Sequence, residues 1–327
     1  MKINNNIGSV IKHIRKSKGL TQTDLSGEGS NYRICSVRHL RKIESSQILP
    51  NATMLNQLLA ALGVSLPEFT LMLFGEQMIY FNNEMEAIRN LFFEEEYAQA
   101  EERFEKLREH ELFDTRNPLI MQSTLLYEGM ILKYIHRQPQ QSLEKLYTAL
   151  RITSNIIIKS GRDELDFNYI ANNPLTLTEY RILMMISNVE EERGNTFGQI
   201  EILTATCESL ENTKMDDETK NKLLPAIYFN LSNALLVQGN YRKALHVSEK
   251  GIALCQEAKV FRAFSKLLWN KGRALYHLDN KSGATKYFQK SHDCFMLHGS
   301  IENAEYLRIT AADKYGILIG SEENLGS

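Results

Sequence analysis

The feature that most constrains the fold of this 327-residue chain is a helical pattern that occurs twice near its C-terminal end. In the first copy, 228–251, apolar and small residues recur at helical spacing on both sides of the turn Gly239-Asn240-Tyr241. The second copy follows 40 positions later, so that Ala284 stands where the first copy has Ala244. Helices joined by so short a turn lie side by side, and their apolar faces are buried only when neighbouring pairs stack. The pattern therefore predicts an all-α chain built from stacked helix pairs.

These two segments resemble the tetratricopeptide repeat, in which small residues mark the contact between two antiparallel helices. Weaker copies precede them at 97–104, at 142–149 and around Gly194-Asn195. The resemblance implies a right-handed superhelix of about five helix pairs over residues 76–327, with an irregular connector near 159–173. A tail helix at about 302–315 would cap the last apolar face.

Residues 1–75, called the head below, follow a different pattern, that of five short helices in one compact domain. Thr21 and Ser36 suit the N-caps of the second and third helices, because their hydroxyl groups accept hydrogen bonds from free backbone N–H groups. A fourth helix is predicted over 54–62, and Ser65 begins a capping box that starts the fifth. The head is therefore expected to fold as a helical domain of its own.

The charge of the chain is divided unequally between the head and the remainder. The head carries nine Lys and Arg residues against four Asp and Glu, a net charge of +5, whereas the remainder carries −7. A basic head on an acidic body suggests a polyanionic partner for the head alone. A solvated basic face would have the same composition.

A short connector near 73–80 is expected to transmit movement of the body to the head.

Three segments of the head resemble the phage-repressor (Xre-type) helix-turn-helix family: 7–25, Ile43-Glu44-Ser45 and 58–65. In that family the third helix lies in the major groove of DNA. The resemblance implies that Gln22 contacts a phosphate and that Arg15 and Glu44 form an internal ion pair. The implied DNA-binding set is Gln22, Ser36, Val37, Arg38, Arg41 and Lys42.

The residue types in this set suit the role that the resemblance implies. The planar guanidinium of Arg38 matches O6 and N7 of guanine, a contact worth about 1–3 kcal/mol of discrimination. Lys42 can neutralise a phosphate without reading the base sequence. The alternative is that Arg38 and Arg41 are solvated surface charges. Between Leu25 and Ile43 the chain is longer than in the family, which predicts that the second helix ends early and that the turn splays.

The inner surface of the repeat stack is the expected peptide-binding face, because the first helix of each pair lines it. An Asn side chain there offers both a donor and an acceptor to an extended peptide backbone, and Arg273 with Lys266 could hold a C-terminal carboxylate. The aromatic residues would either form apolar pockets or pack between helices. The predicted peptide-binding set is Tyr127, Asn188, Phe229, Asn233, Lys266, Trp269, Arg273 and Tyr276.

No pattern of an enzyme or of a metal site occurs in the sequence. HExxH, GxGxxG, a P-loop and clustered Cys/His spacing are missing, so no catalytic residue, cofactor or metal is expected. Acidic triplets such as Glu190-Glu191-Glu192 are interpreted as solvated charge. The four cysteines are far apart, which fits reduced thiols in a cytoplasmic protein. No apolar run approaches the ~20 residues of a membrane span.

A helix-turn-helix head joined to tetratricopeptide-like pairs resembles the RRNPP group of Gram-positive regulators, which includes Rgg, PlcR and PrgX. The resemblance implies a cytoplasmic transcription regulator, a homodimer or higher oligomer, that binds a roughly palindromic double-stranded DNA operator. A short signalling peptide would modulate that binding in quorum sensing. Two alternatives belong to other classes. The repeats could bind a protein partner instead of a peptide, or the chain could be a scaffold that modulates an enzyme.

Overall fold

The computed structural model describes residues 6–29, 33–64, 66–110, 113, 117–153, 158, 164–212, 217–260 and 263–320. The predicted capping box at Ser65 and part of the connector predicted near 159–173 fall on positions outside these ranges. Within them the secondary structure is α-helical apart from one isolated bridge between Ile158 and Leu165. The all-α prediction is therefore confirmed. The chain divides into two compact units, Met1–Asp114 and Thr115–Ser327.

Polar caps set the ends of the short helices in the first unit. Asn6, Thr21, Ser36 and Asn51 each accept a hydrogen bond from the first turn of the helix that follows, as predicted for Thr21 and Ser36. Gly63 ends the fourth helix in the left-handed conformation, which favours glycine. The helices of this unit are α1 (Ile7–Ser17), α2 (Gln22–Ser26), α3 (Val37–Glu44), α4 (Ala52–Leu62), α5 (Leu66–Phe93) and α6 (Tyr97–Glu109).

The head has one apolar core, and α3 lies against it. Ile11, Leu40, Ile43 and Leu58 are completely buried, so α1, α3 and α4 all contribute to this core. Gly8 allows α1 to approach α3 closely, because a Cβ atom at this position would lie 1.9 Å from the carbonyl oxygen of Ile43. The close contact between these two helices positions the exposed side of α3.

The fifth helix is much longer than predicted. It runs without interruption from Leu66 to Phe93, so the connector expected near 73–80 is helical instead. Gly75 is the only Gly or Pro between Phe69 and Phe93 in the sequence, and one helical Gly costs only about 1 kcal/mol. The domain boundary predicted between residues 75 and 76 falls inside this helix and stays a prediction. Packing against α6 includes an ion pair between Arg103 and Glu84, with Nε 2.7 Å from Oε2.

The second unit consists mainly of helix pairs joined by short turns. Four pairs, α7/α8, α10/α11, α12/α13 and α14/α15, lie in the repeat region, and α5/α6 is the corresponding pair in the first unit. Ile301–Tyr315 is the predicted tail helix, and α9 packs on α11. The helices are α7 (Pro118–Tyr134), α8 (Pro139–Thr153), α9 (Phe167–Asn172), α10 (Leu177–Glu192), α11 (Thr196–Asn212), α12 (Asp217–Val237), α13 (Tyr241–Ala258), α14 (Phe264–His277), α15 (Lys281–Leu297) and α16 (Ile301–Tyr315).

Small residues mark the close contacts within the pairs, as the repeat pattern predicts. A Cβ atom on Gly272 would lie 2.5 Å from the ring of Phe288, so α14 and α15 meet there at the closest distance that glycine permits. In α7/α8 the hydroxyl of Ser142 donates to the carbonyl oxygen of Gly129 at 2.7 Å. No helix in the described part of the chain is both long and apolar enough to cross a membrane.

Candidate nucleic-acid interface and peptide-binding face

The third helix presents a basic surface on the side opposite its buried residues. Arg38, Arg41 and Lys42 are exposed, whereas Leu40 and Ile43 are completely buried. At 100° per residue the three basic side chains share one side of α3, which is the arrangement that a groove-binding helix needs. Ser36 and Val37, the predicted DNA-binding residues at the start of α3, are half-buried. The hydroxyl of Ser36 accepts from the backbone N–H of His39 at 3.1 Å and thus serves as the N-cap.

A buried ion pair holds α3 against α1. Arg15 donates to Glu44 from Nε and Nη2, at 2.6 and 2.9 Å, and from Nη1 to the carbonyl oxygen of Leu20 at 2.7 Å. The predicted Arg15–Glu44 pair is confirmed. Burial by itself would raise the pKa of Glu44, but hydrogen bonds from Arg15 and Gln22 and the charge of Arg15 outweigh it, and the net shift is downward. The carboxylate therefore stays ionised and fixes the C-terminal end of α3.

Gln22 takes part in the same network. Its side-chain nitrogen donates to Oε2 of Glu44 at 2.7 Å, which ties the start of α2 to α3. The predicted phosphate contact of Gln22 stays a prediction. A contact through this nitrogen would have to replace the bond to Glu44.

The long turn before α3 is held at its base. The second helix ends early, as predicted, with Gly27 in the left-handed conformation. The described part of the turn does not splay, because the carbonyl oxygen of Ser26 accepts from the N–H groups of Ile34 and Cys35 at 3.0 and 3.3 Å. Glu28, which sequence reasoning missed, accepts from the backbone N–H of Val37 at 2.9 Å and so helps to cap α3. Because Glu28 stands nine residues before Val37, no local signal marked this contact.

Three residues of the predicted peptide-binding set lie in one polar line across successive first helices. Asn233 of α12 donates from Nδ2 to Oε1 of Glu191 in α10 at 3.1 Å, and its Oδ1 accepts from Nη1 of Arg273 in α14 at 2.7 Å. Asn188 accepts from Asn230 at 3.2 Å between α10 and α12. The structure thus brings Asn188, Asn233 and Arg273 together on half-buried positions.

Glu191 is the residue of this line that sequence reasoning missed. It belongs to an acidic triplet interpreted as solvated charge, and the structure places its exposed carboxylate against the predicted site. Its position three residues after Asn188, on the same side of α10, was the available signal.

The remaining predicted residues lie in other surroundings, and their role in peptide binding stays a prediction. Phe229 is half-buried, with Nζ of the exposed Lys266 5.5 Å above its ring centre, one turn before Asn233. The joint role of Lys266 and Arg273 in holding a carboxylate stays a prediction. Tyr127 is buried, with 5% of its surface exposed. Trp269 and Tyr276 pack on Tyr315 of α16, with ring centres 6.1 and 4.9 Å apart, because the last pair buries its apolar face under that helix.

A cavity of about 810 Å³ lies between α13, α14 and α15. Leu268 and Tyr287 are among the apolar side chains that line it, and Lys271 and Lys290 are among the charged ones. None of the predicted peptide-binding residues lines this cavity. It is thus separate from the polar line of Asn188, Asn233 and Arg273.

The chain is similar to known proteins in its N-terminal part and in its overall fold. Residues 11–69 match the helix-turn-helix family. No curated protein sequence matches the chain significantly. Among solved structures, the chain is similar to PlcR of Bacillus thuringiensis in complex with the peptide PapR7 and DNA, at 19% identity and a TM-score of 0.60. That similarity covers 93% of this chain and 99% of PlcR.

Two further structures share the arrangement. PlcR of Bacillus thuringiensis in its apo form has 15% identity and a TM-score of 0.56, over 92% of this chain and 98% of that one. A cysteine-to-serine variant of the SHP pheromone receptor Rgg2 of Streptococcus dysgalactiae has 12% identity and a TM-score of 0.51, over 94% and 98%. At these identities the similarity shows the fold, a helix-turn-helix domain followed by helical repeats along nearly the whole chain.

Proposed function

We propose that this chain is a cytoplasmic, homodimeric transcription regulator of the RRNPP type, whose DNA affinity is modulated by a short signalling peptide. The observation that carries the proposal is the third helix, where three exposed basic side chains are held outward by the Arg15–Glu44 pair. The full-length similarity to PlcR, a protein whose structure contains both a peptide and DNA, supports the same reading.

In the proposed complex, α3 lies in the major groove. Arg38 and Arg41 read base edges, Lys42 neutralises a phosphate, and Ser36 and Val37 lie at the entry of the helix. Gln22 ties α2 to α3 through Glu44 and lies beside the DNA backbone. Two heads related by a two-fold axis would meet half-sites about one helical turn apart, so the operator would be roughly palindromic.

The peptide acts through linkage in this proposal. A ligand changes DNA affinity only by binding one arrangement of the protein more tightly than another. The polar line of Asn188, Asn233 and Arg273 connects three first helices, so a peptide that exchanges bonds with it would change how those helices are joined. The repeats are thus the regulatory part and the head is the DNA-binding part.

Selection of duplexes from a random DNA pool tests the DNA-binding half. We expect the chain to select one roughly palindromic sequence, and Arg38→Ala combined with Arg41→Ala to abolish specific binding. Because both side chains are exposed, the double variant should melt like the parent protein. Arg242→Ala, at an exposed position of α13, is the matched control and should select the same duplex. Sequence-specific binding by the double variant would overturn the assignment of α3.

Thermal melting with synthetic peptides encoded by small reading frames beside the gene tests the regulatory half. A peptide at 100 times its Kd should stabilise the protein by about 2.7 kcal/mol if it binds only the folded state. We expect one peptide to raise the melting temperature and to change operator affinity. If no peptide does either, the repeats would instead serve a protein partner, and the DNA-binding half of the proposal would stand alone.

A further inference from the structure

The polar line and its neighbour Glu191 include two opposite charges, those of Arg273 and Glu191, that form no salt bridge with any described residue. In the described part of the chain Arg273 donates to two neutral side chains, Asn233 at 2.7 Å and Asn270 at 3.2 Å, and forms no salt bridge. Glu191 accepts from Asn233 and likewise forms no salt bridge there. Arg273 is half-buried, and a charge in that position is stabilised by an opposite charge. Glu191 is exposed and open to a ligand. The two together suit a ligand that carries both charges.

Asn233 limits the separation of these two charges, because it is bonded to both. Its amide bonds Glu191 through nitrogen at 3.1 Å and Arg273 through oxygen at 2.7 Å. The amide oxygen and nitrogen are themselves about 2.3 Å apart, so Oε1 of Glu191 and Nη1 of Arg273 are at most about 8 Å apart. An extended peptide rises about 3.3 Å per residue, so these two charges span no more than about two residues of such a peptide.

We infer that Glu191 and Arg273 determine the charge pattern of the peptide that the repeats bind. The ligand carries a carboxylate for Arg273 and, within about two residues of it, an ammonium or guanidinium group for Glu191. This inference rests on the proposed peptide-binding function and names the class of peptide. The carboxylate is supplied by the peptide C-terminus or by Asp or Glu, and the cation by the N-terminus or by Lys or Arg.

The residues around the pair favour this assignment over a purely structural one. Neighbouring charges on the same first helices are already matched, since Nζ of Lys133 in α7 lies 3.0 Å from Oε2 of Glu192 in α10. Nη1 of Arg193 is likewise 2.9 Å from Oε1 of Glu190. Only Glu191 of the acidic triplet lacks such a partner within the described ranges, and it is the member that contacts the predicted site. Arg273 presents a planar fork, which binds a carboxylate through two parallel hydrogen bonds once the ligand arrives.

Affinity selection from hexapeptide libraries of random sequence tests the inference with the full-length protein. Three libraries are used: one with free termini, one amidated at the C-terminus and one acetylated at the N-terminus. Retained peptides are identified by mass spectrometry. We expect peptides with a carboxylate and a cation within about two residues of each other to be enriched at least tenfold over peptides that lack either group. The two blocked libraries show whether the termini or the side chains supply these charges.

Two variants assign the preferences to their residues. Arg273→Gln should remove the requirement for a carboxylate and leave the requirement for a cation, and Glu191→Gln should do the reverse. Glu191 is exposed, so its variant should fold normally; if Arg273→Gln melts early, Arg273→Lys keeps the charge and should retain part of the preference. Lys286→Gln and Glu257→Gln, at exposed positions of α15 and α13, are matched controls and should leave both preferences unchanged.

The outcomes separate this inference from the function on which it rests. Retention of peptides without a charge preference would overturn the inference while leaving the peptide-binding function in place. The inference is also overturned, with the peptide-binding function left in place, if the charge preference survives both Arg273→Gln and Glu191→Gln. Failure of the parent protein to retain any peptide from all three libraries would reject the peptide-binding function itself.

Discussion

Arg15 and Glu44 join α1 to α3 through two hydrogen bonds, from Nε to Oε1 at 2.6 Å and from Nη2 to Oε2 at 2.9 Å. Both side chains are almost completely buried, with 8% and 2% of their surfaces exposed. A buried ion pair is costly to break, because the remaining partner is left as an uncompensated charge. The pair therefore links the stability of the head to the orientation of its basic surface.

The first prediction concerns the loss of one partner. Glu44→Gln should destabilise the head by about 3 kcal/mol, because Arg15 keeps its charge in a buried position. Urea unfolding at neutral pH measures the change. The exposed pair Glu305–Arg308 on α16 is the control, and Glu305→Gln should leave stability unchanged within error. Equal effects of the two substitutions would contradict the special role of the buried pair.

The effect of Glu44→Gln in the first prediction should also depend on pH. The pKa of Glu44 is lowered on folding from its ordinary value of 4.5, so its stabilising contribution is fully present above that value. The contribution is lost as the pH falls below 4.5 towards the lowered pKa of the folded state. The stability difference between the parent protein and Glu44→Gln should therefore shrink in acid. A difference that stays constant from neutral pH to about pH 3 would argue against this linkage.

A second prediction tests the contact between α1 and α3. Gly8→Ala would place a Cβ atom 1.9 Å from the carbonyl oxygen of Ile43, and a backbone atom cannot rotate away as a side chain can. The helices must separate, at a cost of about 3 kcal/mol or more, and operator affinity should fall with the displaced α3. His13→Ala, at an exposed position of α1, should change neither quantity. Unchanged melting of Gly8→Ala would mean that the two helices are farther apart than described.

A third prediction concerns the two asparagines of the polar line. Asn188→Ala combined with Asn233→Ala removes the amides that bond Asn230, Glu191 and Arg273, and peptide affinity should fall at least tenfold. Affinity for DNA without peptide should stay the same, since neither residue lies in the head. Calorimetric titration with the peptide and operator titration without it give the two values. Asn303→Ala on the exposed side of α16 is the control, and an unchanged peptide affinity in the double variant would move the binding site elsewhere.

A fourth prediction concerns thiol reactivity. Cys294 is half-buried, whereas Cys35, Cys207 and Cys255 are buried. Burial raises the pKa of Cys255 to about 11 and also raises the pKa of Cys35 and Cys207. Because the thiolate is the reactive form, a thiol reagent should modify one cysteine quickly near neutral pH. Cys294→Ser should remove this fast phase, and a fast phase that persists in the variant would place the reactive thiol elsewhere.

Local signals in the sequence predicted the helix caps of the head and the close contacts within the repeats. The caps at Thr21 and Ser36 were predicted correctly because capping depends on residues three positions apart. The small residues Gly272 and Ala284 were recognised because the contact within a helix pair recurs along the chain. The Arg15–Glu44 pair came from the resemblance to the helix-turn-helix family, since a separation of 29 residues carries no local signal.

Other properties were decided only by the tertiary structure. The sequence by itself determined the all-α class, the helix caps and the basic side of α3, because periodicity and capping are read within a few residues. Packing between helices decided that Trp269 and Tyr276 lie against Tyr315 of α16 and that Glu191 accepts a hydrogen bond from Asn233. The continuation of α5 through 73–80 is different, because the sequence itself holds no strong helix breaker there, and a search for patterns does not detect an absence. Whether a charged side chain has a partner depends on which helices lie beside it, and the tertiary structure sets those neighbours.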